Sequence, residues 1–529
     1  MNRYFNKTAL LCFVYALAVL PIFIFRDFTP DNELKYLSIA DEALESGSIF
    51  TFTNHGTIYA DKPPLYLWIV KFGKVVFGHH SMLFLAMFSL LPALVMIYIM
   101  DKWVAGILTL EERFGAQLML FTSIFFIGSA IVLRMDMLMS MFIVLALYTF
   151  FRMYEGKGSK YDSILFPVYI FMALFTKGPV GIIVPLVSVI TFLVLKKEYK
   201  LIGTYWGWKT LIILVILCSV WFIGAYIEGG NEYLNNLLIK QTVNRAVNAF
   251  HHKEPFYYYF IAFWYTLAPW SLLIGAVLWN GFKKRTTFSN LELFFLVTAF
   301  STVITLSLFS SKLAIYMLPA LPFFVYLTLM GIHRHGNSKW YFILLIIPSA
   351  LLCAALPATL VYKYFVGTSE FAISAPMIMG AALLSLTGTV TIKCLINKDL
   401  IYGIKSMSIG IIVSVFTVSF AIPDINHLIG LKQLCLQAKA IADKKGGVNY
   451  YYCGLDKANN CDVYLEAELT ELDKQDLLDN NKIKTPAIVF LRSKEIEEND
   501  TVKAFAKDRK YINSGDYYCV ELENKKQNK

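Results

Sequence analysis

Long apolar runs recur along the chain, separated by short polar corners. They cover residues 8–25, 81–100, 115–133, 135–151, 162–176, 178–195, 208–227, 256–280, 290–309, 313–331, 340–361, 374–395 and 401–421. Each is close to the roughly 20 residues that an α-helix needs to cross a ~30 Å hydrocarbon core, so the pattern predicts about thirteen transmembrane helices. Several runs abut with only a few residues between them. Unpaired amides cannot face lipid, so the backbone there must be helical with tight corners. The first run lacks a small-residue cleavage site and reads as a retained anchor rather than a signal peptide.

Two stretches break the pattern. Residues 26–80 form a polar first loop in which Leu34, Leu37, Ala40 and Leu44 recur at helical spacing, with Pro30 and Asp31 or Asn32 placed to start a helix. Tyr66, Leu67, Trp68 and Ile69, followed by Lys71 and Lys74, resemble an interfacial amphipathic stretch. Residues 431–529 carry strand-like runs at 448–455, 486–492 and 516–522 between charged helical segments, which predicts a small α/β domain. The expected organisation is a transmembrane domain over 1–425, including the loop 26–80, and a C-terminal domain over 431–529.

Composition agrees with this class. The 529 residues are 57% hydrophobic and 16% charged, too apolar for a water-soluble chain of this length. The fold class is therefore an all-α polytopic membrane protein with a small α/β addition. Nineteen Lys and Arg residues fall on seven short connectors taken as inner, among them Lys196, Lys197 and Lys200, and Lys283, Lys284 and Arg285. Twelve fall on the outer connectors, five of them in the long first loop. The bias puts the N-terminus in the cytoplasm and, with an odd number of spans, the C-terminal domain outside the cytoplasm. The net charge of +10 thus speaks for topology and not for nucleic acid. Cys12, Cys218, Cys353 and Cys394 lie in spans, whereas Cys435, Cys453, Cys461 and Cys519 belong to the C-terminal domain, where a Cys453–Cys461 bridge is one option. No zinc-type spacing, phosphate-cradling Gly loop or nucleophile elbow is present.

The chemistry collects at the outer corners, in PDNELKY (30–36), DKPP (61–64), LRMD (133–136), TKGP (176–179) and SSKLAIYMLP (310–319). The inner corners hold mostly plain basic clusters. Carboxylates at Asp31, Glu33, Asp61 and Asp136 can deprotonate an acceptor hydroxyl or bind a divalent cation, and Lys62, Lys177, Arg245 and Lys312 can neutralise a phosphate. Arg134 pairs in sequence with Asp136, Tyr316 lies one helical turn beyond Lys312 as a hydroxyl donor, and His252 stands beside Lys253. Each has a plainer use: capping for Asp31 and Glu33, a helix end for Lys177, solvation for His252. Acids and bases together at a membrane surface point to a phosphorylated lipid substrate.

PDNELKYLSIADEALESG followed by IYADKPPLYLW resembles the first outer loop of the bacterial aminoarabinose transferases and their protein O-mannosyltransferase relatives, within the GT-C superfamily of glycosyltransferases. The similarity continues through RMDMLMSMF (134–142), TKGPVG (176–181), the segment Arg245 to Pro255, APW (268–270) and SSKLAIYMLP, covering most of residues 20–325. The resemblance implies a GT-C-type membrane enzyme of the cell inner membrane. It would move a sugar from a polyprenyl-phosphate donor to a lipid A-like glycolipid, another envelope acceptor or a protein, with inversion at the anomeric carbon. Asp31, Glu33 and Asp136 would be catalytic, and Lys62, Lys177, Arg245, Lys312 and Tyr316 would hold the donor phosphate, supported by Asp61, Arg134 and His252. Asp31 and Asp136 are the residues expected to hold any divalent cation (Mg, Mn or Zn).

One position departs from the family pattern, Asp-Glu-x-Arg-Tyr. With Tyr36 as anchor, Glu33 and Lys35 fall on the Glu and Arg, but Asn32 stands where Asp is expected and Asp31 lies one residue early. Asp31 is the preferred replacement. A lipid-linked sugar flippase or transporter is the alternative. That reading wants charged or broken helices near the bilayer midplane and an internal repeat, whereas the ionisable residues here sit mainly at span ends. A non-catalytic scaffold leaves the acid and base corners without a role.

Overall fold

The computed structural model describes residues 2–239, 253–284, 287–366, 372–455, 458–479, 481–507, 509–514 and 517–523. Helix α1 (Asn2–Phe25) leads into a first loop folded as α2 (Lys35–Glu45), the hairpin β1 (Thr53–Asn54) and β2 (Thr57–Ile58), and α3 (Leu65–Phe77). The apolar part continues through α4 (Met82–Trp103), α5 (Leu110–Phe121), α6 (Ile124–Ile131), α7 (Asp136–Tyr154), α8 (Asp162–Lys177), α9 (Val180–Leu195), α10 (Lys200–Tyr205) and α11 (Trp208–Asn235). It resumes as α12 (Tyr258–Thr266), α13 (Ser271–Lys283), α14 (Asn290–Leu308), α15 (Leu321–His335), α16 (Lys339–Cys353), α17 (Ala355–Val361), α18 (Ala375–Ile396) and α19 (Leu400–Ser419). After α20 (Ile422–Ile429), the C-terminal part contains α21 (Lys432–Lys445), β3 (Asn449–Cys453), α22 (Asp462–Leu465), β4 (Leu469–Glu471), β5 (Ala487–Arg492), α23 (Ser493–Glu498), α24 (Asp500–Ala506), β6 (Tyr511–Ser514) and β7 (Tyr517–Leu522).

The chain is a multi-pass membrane protein, but the expected count of thirteen spans is not confirmed. Among the described residues nine helices are long and apolar enough to cross, or up to eleven when each of two bent pairs is one span. Two departures explain the difference. Helices α8 and α9 are 16 residues each, about 24 Å at 1.5 Å per residue, and pack as a short hairpin in which Gly181 lies against the backbone of Ala173 and Leu174. The runs 115–133 and 256–280 are each broken, α5 from α6 by 63° and α12 from α13 by 117°.

The two breaks meet. The amide of Ile124 donates to the carbonyl of Ala268 at 3.0 Å, and the indole Nε1 of Trp270 donates to Oγ1 of Thr122 at 3.1 Å. Thr122 and Ser123 turn their own hydroxyls back to Leu118 and Met119. Backbone groups released by each interruption thus find partners in the other, which irregular backbone at membrane depth requires.

Corners read as inner gather at one end of the bundle, where they pair with one another. Arg113 holds Asp101, Lys405 holds Glu111, His333 holds Glu112 at 2.9 Å, and Arg334 holds Glu292. At the opposite end the first loop packs over the bundle. Leu34, Leu37 and Ala40 are buried as their spacing predicts. The expected side-chain cap is replaced by a π-helical turn, Pro30–Leu34, that runs straight into α2.

In the C-terminal part the three predicted strands are β3, β5 and β7, the centre of a five-stranded sheet ordered β4-β3-β5-β7-β6. β3 runs parallel to β4 and β5, and β7 antiparallel to β5 and β6. Strand alternation sends Tyr450 and Phe490 to the face covered by Leu434, Cys435 and Ala438 of α21. It sends Val489 and Leu491 to the face covered by Val502 and Phe505 of α24. Cys461 belongs to the first face and Cys453 to the second. All eight cysteines are free, so no Cys453–Cys461 bridge forms, because the sheet separates the two thiols.

Candidate active site

The site begins with a carboxylate that organises the loop. Glu33, 1% exposed, takes both guanidinium N–H groups of Arg26 at 2.8 Å. It also accepts the amides of Thr29 at 2.8 Å and of Leu133, a hundred residues later, at 2.8 Å. Four donors occupy its two oxygens, which saturates the acceptor sites that burial removes from water. Glu33 thereby joins α1, the π-helical turn and the corner between α6 and α7.

Asp136 opens α7 at that same corner and is also 1% exposed. Its Oδ1 accepts from the ammonium of Lys177 at the end of α8, and its Oδ2 from Nε of Arg134 at 3.2 Å. Ser89 of α4 fixes the corner by donating to the carbonyl of Val132 at 2.7 Å. The Lys177 ammonium also stands over the Tyr316 ring, 4.6 Å from its centroid, and feels the positive charges of Lys62 and Arg134. TKGP, LRMD and the SSKLAIYMLP stretch are thereby brought to one place, with DKPP beside them.

Tyr36 of α2 faces the same cluster. Burial holds its phenol above the ordinary range, the Arg134 guanidinium pulls it back, and the Asp61 carboxylate pushes it further up. It therefore stays a proton donor at neutral pH. Its ring meets that of Tyr66 edge-on at 5.5 Å, while Lys35 stands 4.7 Å over Tyr59, whose carbonyl accepts from the Tyr233 hydroxyl of α11 at 3.2 Å.

Lys312 is buried, and donates from Nζ to the Glu254 carbonyl at 2.8 Å. Residues 253–254 and 310–311 run as a short antiparallel bridge. Just below, a cavity of about 860 Å³ opens between α12, α13, α14 and α15, lined by Phe256, Phe260, Trp264, Trp279, Ile304 and Leu308 among others. Tyr259, also on its wall, donates its hydroxyl to the Leu313 carbonyl at 3.3 Å and lies in the field of Tyr316. The groove and the charged cluster thus share a border.

Of the residues singled out in the sequence, Asp136, Arg134, Lys177, Tyr316, Lys62 and Asp61 converge, Glu33 braces them, and Lys312 lies at the groove. The side chain of Asp31, and Arg245 and His252 entirely, fall outside the described residues. Sequence reasoning missed Arg26, Ser89, Tyr36, Tyr59 and Tyr233 as parts of the site. The seven-residue interval from Arg26 to Glu33 crosses a turn with no regular period; the signals available were the motif position of Tyr36 and the tyrosine richness of the loop. No group of three or more metal-ligating side chains occurs among the described residues. Of the two residues expected to hold a divalent cation, Asp136 has its oxygens on two cations of the chain, and the side chain of Asp31 falls outside the described residues.

Comparison with known proteins follows the same lines. The family model described as dolichyl-phosphate-mannose-protein mannosyltransferase matches residues 61–223. An uncharacterized protein of Aquifex aeolicus is 26% identical over 63% of this chain and 65% of its own. The undecaprenyl phosphate-alpha-4-amino-4-deoxy-L-arabinose arabinosyl transferases of Serratia proteamaculans and Yersinia enterocolitica are 25% and 27% identical, over 59% and 60% of this chain and 56% and 57% of theirs. Less than two thirds of each relative's length is thus covered. The crystal structure of ArnT from Cupriavidus metallidurans bound to undecaprenyl phosphate superposes with a TM-score of 0.74 at 15% identity, covering 97% of this chain and 98% of that one. The motifs and the matched relatives make the chain similar to the aminoarabinose transferases, and the superposition shows that it shares the fold of the solved one.

Proposed function

We propose that the chain is a glycosyltransferase that takes a sugar from a polyprenyl-phosphate donor and hands it to an acceptor at the extracytoplasmic face of the inner membrane. The observation that carries this reading is the border between the Lys177–Asp136–Arg134 cluster and the aromatic groove. A polyprenyl phosphate is itself such an object, an anionic head on a long apolar tail. The relatives named for undecaprenyl-phosphate sugar transfer and the undecaprenyl phosphate in the superposed structure support the same donor class.

In this scheme the tail lies along α12–α15 and the phosphate meets Lys177, Lys62, Arg134 and Lys312, with Arg245 from the neighbouring segment. As the anomeric C–O bond breaks, the leaving phosphate gains charge that these cations stabilise in place. Asp136 pairs with Lys177 and Arg134 and aims both. The acceptor hydroxyl attacks from the opposite face, so the configuration inverts, and Asp31 takes its proton. Glu33 shapes the loop and leaves proton transfer to its neighbour.

The test compares membranes containing the intact chain with membranes containing Lys177→Ala or Asp31→Asn, reading envelope glycolipids and glycoproteins by mass spectrometry. A sugar-sized mass increment that depends on the chain and vanishes in both variants supports the proposal. Identical envelopes with and without the chain reject it. The same spectra separate a glycolipid from a protein acceptor.

A further inference from the structure

We propose that Asp462 of the C-terminal part is a positioning residue for the transfer site, seating α2 and through it the first-loop side chains; this rests on the transferase reading. Ser38 of α2 is 3% exposed and donates its hydroxyl to Oδ2 of Asp462 at 2.8 Å, across 424 positions of sequence. His55, at the tip of the β1–β2 hairpin, brings Nε2 to 3.4 Å from the Ser38 hydroxyl and 3.9 Å from the same Asp462 oxygen. The other oxygen of Asp462 accepts the amide of Val463 at 2.7 Å. The order excludes a hydrolytic Ser-His-Asp relay, since the carboxylate grips the serine directly instead of orienting the imidazole.

What the clasp holds gives it a use. Ser38 lies two residues beyond Tyr36, which faces Arg134 and Asp61, and α2 continues the turn bearing Asp31 and Glu33. A shift of α2 moves all of them together. A second anchor has the same direction, for Asn426 donates to the Phe25 carbonyl at 2.6 Å and accepts the Asp27 amide at 3.1 Å.

Charged groups around Asp462 come from several elements. α2 contributes Asp41, itself paired with Lys74 of α3 at 3.4 Å and His80 at 2.9 Å. Glu466, just beyond α22, is paired with Lys439 of α21 at 2.8 Å. Burial raises the Asp462 carboxyl, Ser38 and His55 pull it down, and Asp41 pushes it up. A raised native value means that Asp462 favours docking below its ordinary range and that this part is lost as pH rises through the shifted value. An asparagine keeps an acceptor for Ser38 and carries no charge.

Hydrogen exchange of the full chain in detergent tests this without an activity assay. Asp462→Ala and Ser38→Ala are expected to speed exchange of 35–45 about tenfold, the equivalent of one lost buried hydrogen bond, with α7 and α14 unchanged. Asp462→Asn is expected to keep the protection and flatten its pH dependence. No change at 35–45, or equal loosening of the spanning helices, overturns the proposal. In the transfer assay Asp462→Ala lowers kcat while leaving KM for the donor, and Asp462→Asn restores it. If the intact chain transfers no sugar, the function fails while the exchange result still judges the clasp.

Discussion

The ammonium of Lys177 lies between the Asp136 carboxylate and the face of Tyr316, whose centroid is 4.6 Å away. Carboxylate and ring are presented by different helices, so the cation reports directly on how α7, α8 and the segment before α15 are assembled. A lysine held this way is fixed and desolvated, so the proposed phosphate contact needs no reorganisation.

Breaking that pair affects chemistry more than substrate capture. Lys177→Ala removes one of the two cations that Asp136 meets among the described residues, and removing one member of a buried pair costs about 3–5 kcal/mol. Transfer is expected to fall at least about a hundredfold, on the scale of losing a group that stabilises leaving charge. Lys177→Ala with Asp136→Asn should be less than additive in a melting assay, since neither then strands an opposite charge. Strict additivity speaks against the pairing.

Glu33→Gln and Arg26→Ala are expected to share one phenotype. Each breaks the fork that ties α1 to the first loop, and each leaves its partner buried, at a cost of about 3–5 kcal/mol. Limited proteolysis should open at 26–34 in both, and activity should fall with the folded fraction. A Glu33→Gln protein of unchanged melting temperature but no activity shows instead that Glu33 acts in the chemistry.

Groove substitutions should discriminate by tail length. Ile304→Glu places a charge on an exposed wall position, and is expected to weaken undecaprenyl phosphate binding by tenfold or more, while a water-soluble short-chain isoprenyl phosphate is little affected. Native mass spectrometry of the two ligands measures the difference. Equal losses for both place the tail elsewhere.

The C-terminal thiols give a test of the sheet. Burial and the neighbouring Cys435 thiol hold Cys461 well above the usual thiol range, the Cys435 contact being the larger cause, and burial pushes Cys453 up to about 11. Both should alkylate slowly at pH 8 in the folded chain and fast in urea. Under oxidation, peptide mapping is expected to find Cys461 linked to Cys435 and not to Cys453.

The corners that form the site were legible because corner composition is local. LRMD, TKGP and DKPP announce themselves by mixing charge with Pro or Gly, and their convergence is what a bundle does with corners at one end. The three C-terminal strands were legible for a similar reason, since runs such as AIVFLR (487–492) are apolar over a strand's length. The broken spans were not. Thr122-Ser123 and Ala268-Pro269 look like ordinary interruptions of a greasy run, and each bend depends on the hydrogen bonds that the other supplies.

Glu33 marks the same boundary within the site. Its residue type and its place in the motif were visible, but the donors that saturate it come from Arg26, Thr29 and Leu133, and no periodicity relates them. Asp462 lies further still from anything that a linear pattern could connect to Ser38.

By itself the sequence determined the solvent of each segment, because twenty apolar residues in a row leave a helix in lipid as the main way to satisfy the backbone. It also marked the corners, DKPP, LRMD, TKGP and SSKLAIYMLP, that meet at one end of the bundle. Tertiary structure alone decided which acid meets which base, where the spans break, and how Asp462 and Asn426 hold the first loop. Such pairings depend on distances between helices that sequence spacing does not encode, and a buried charge has a definite role only once its partner is in place.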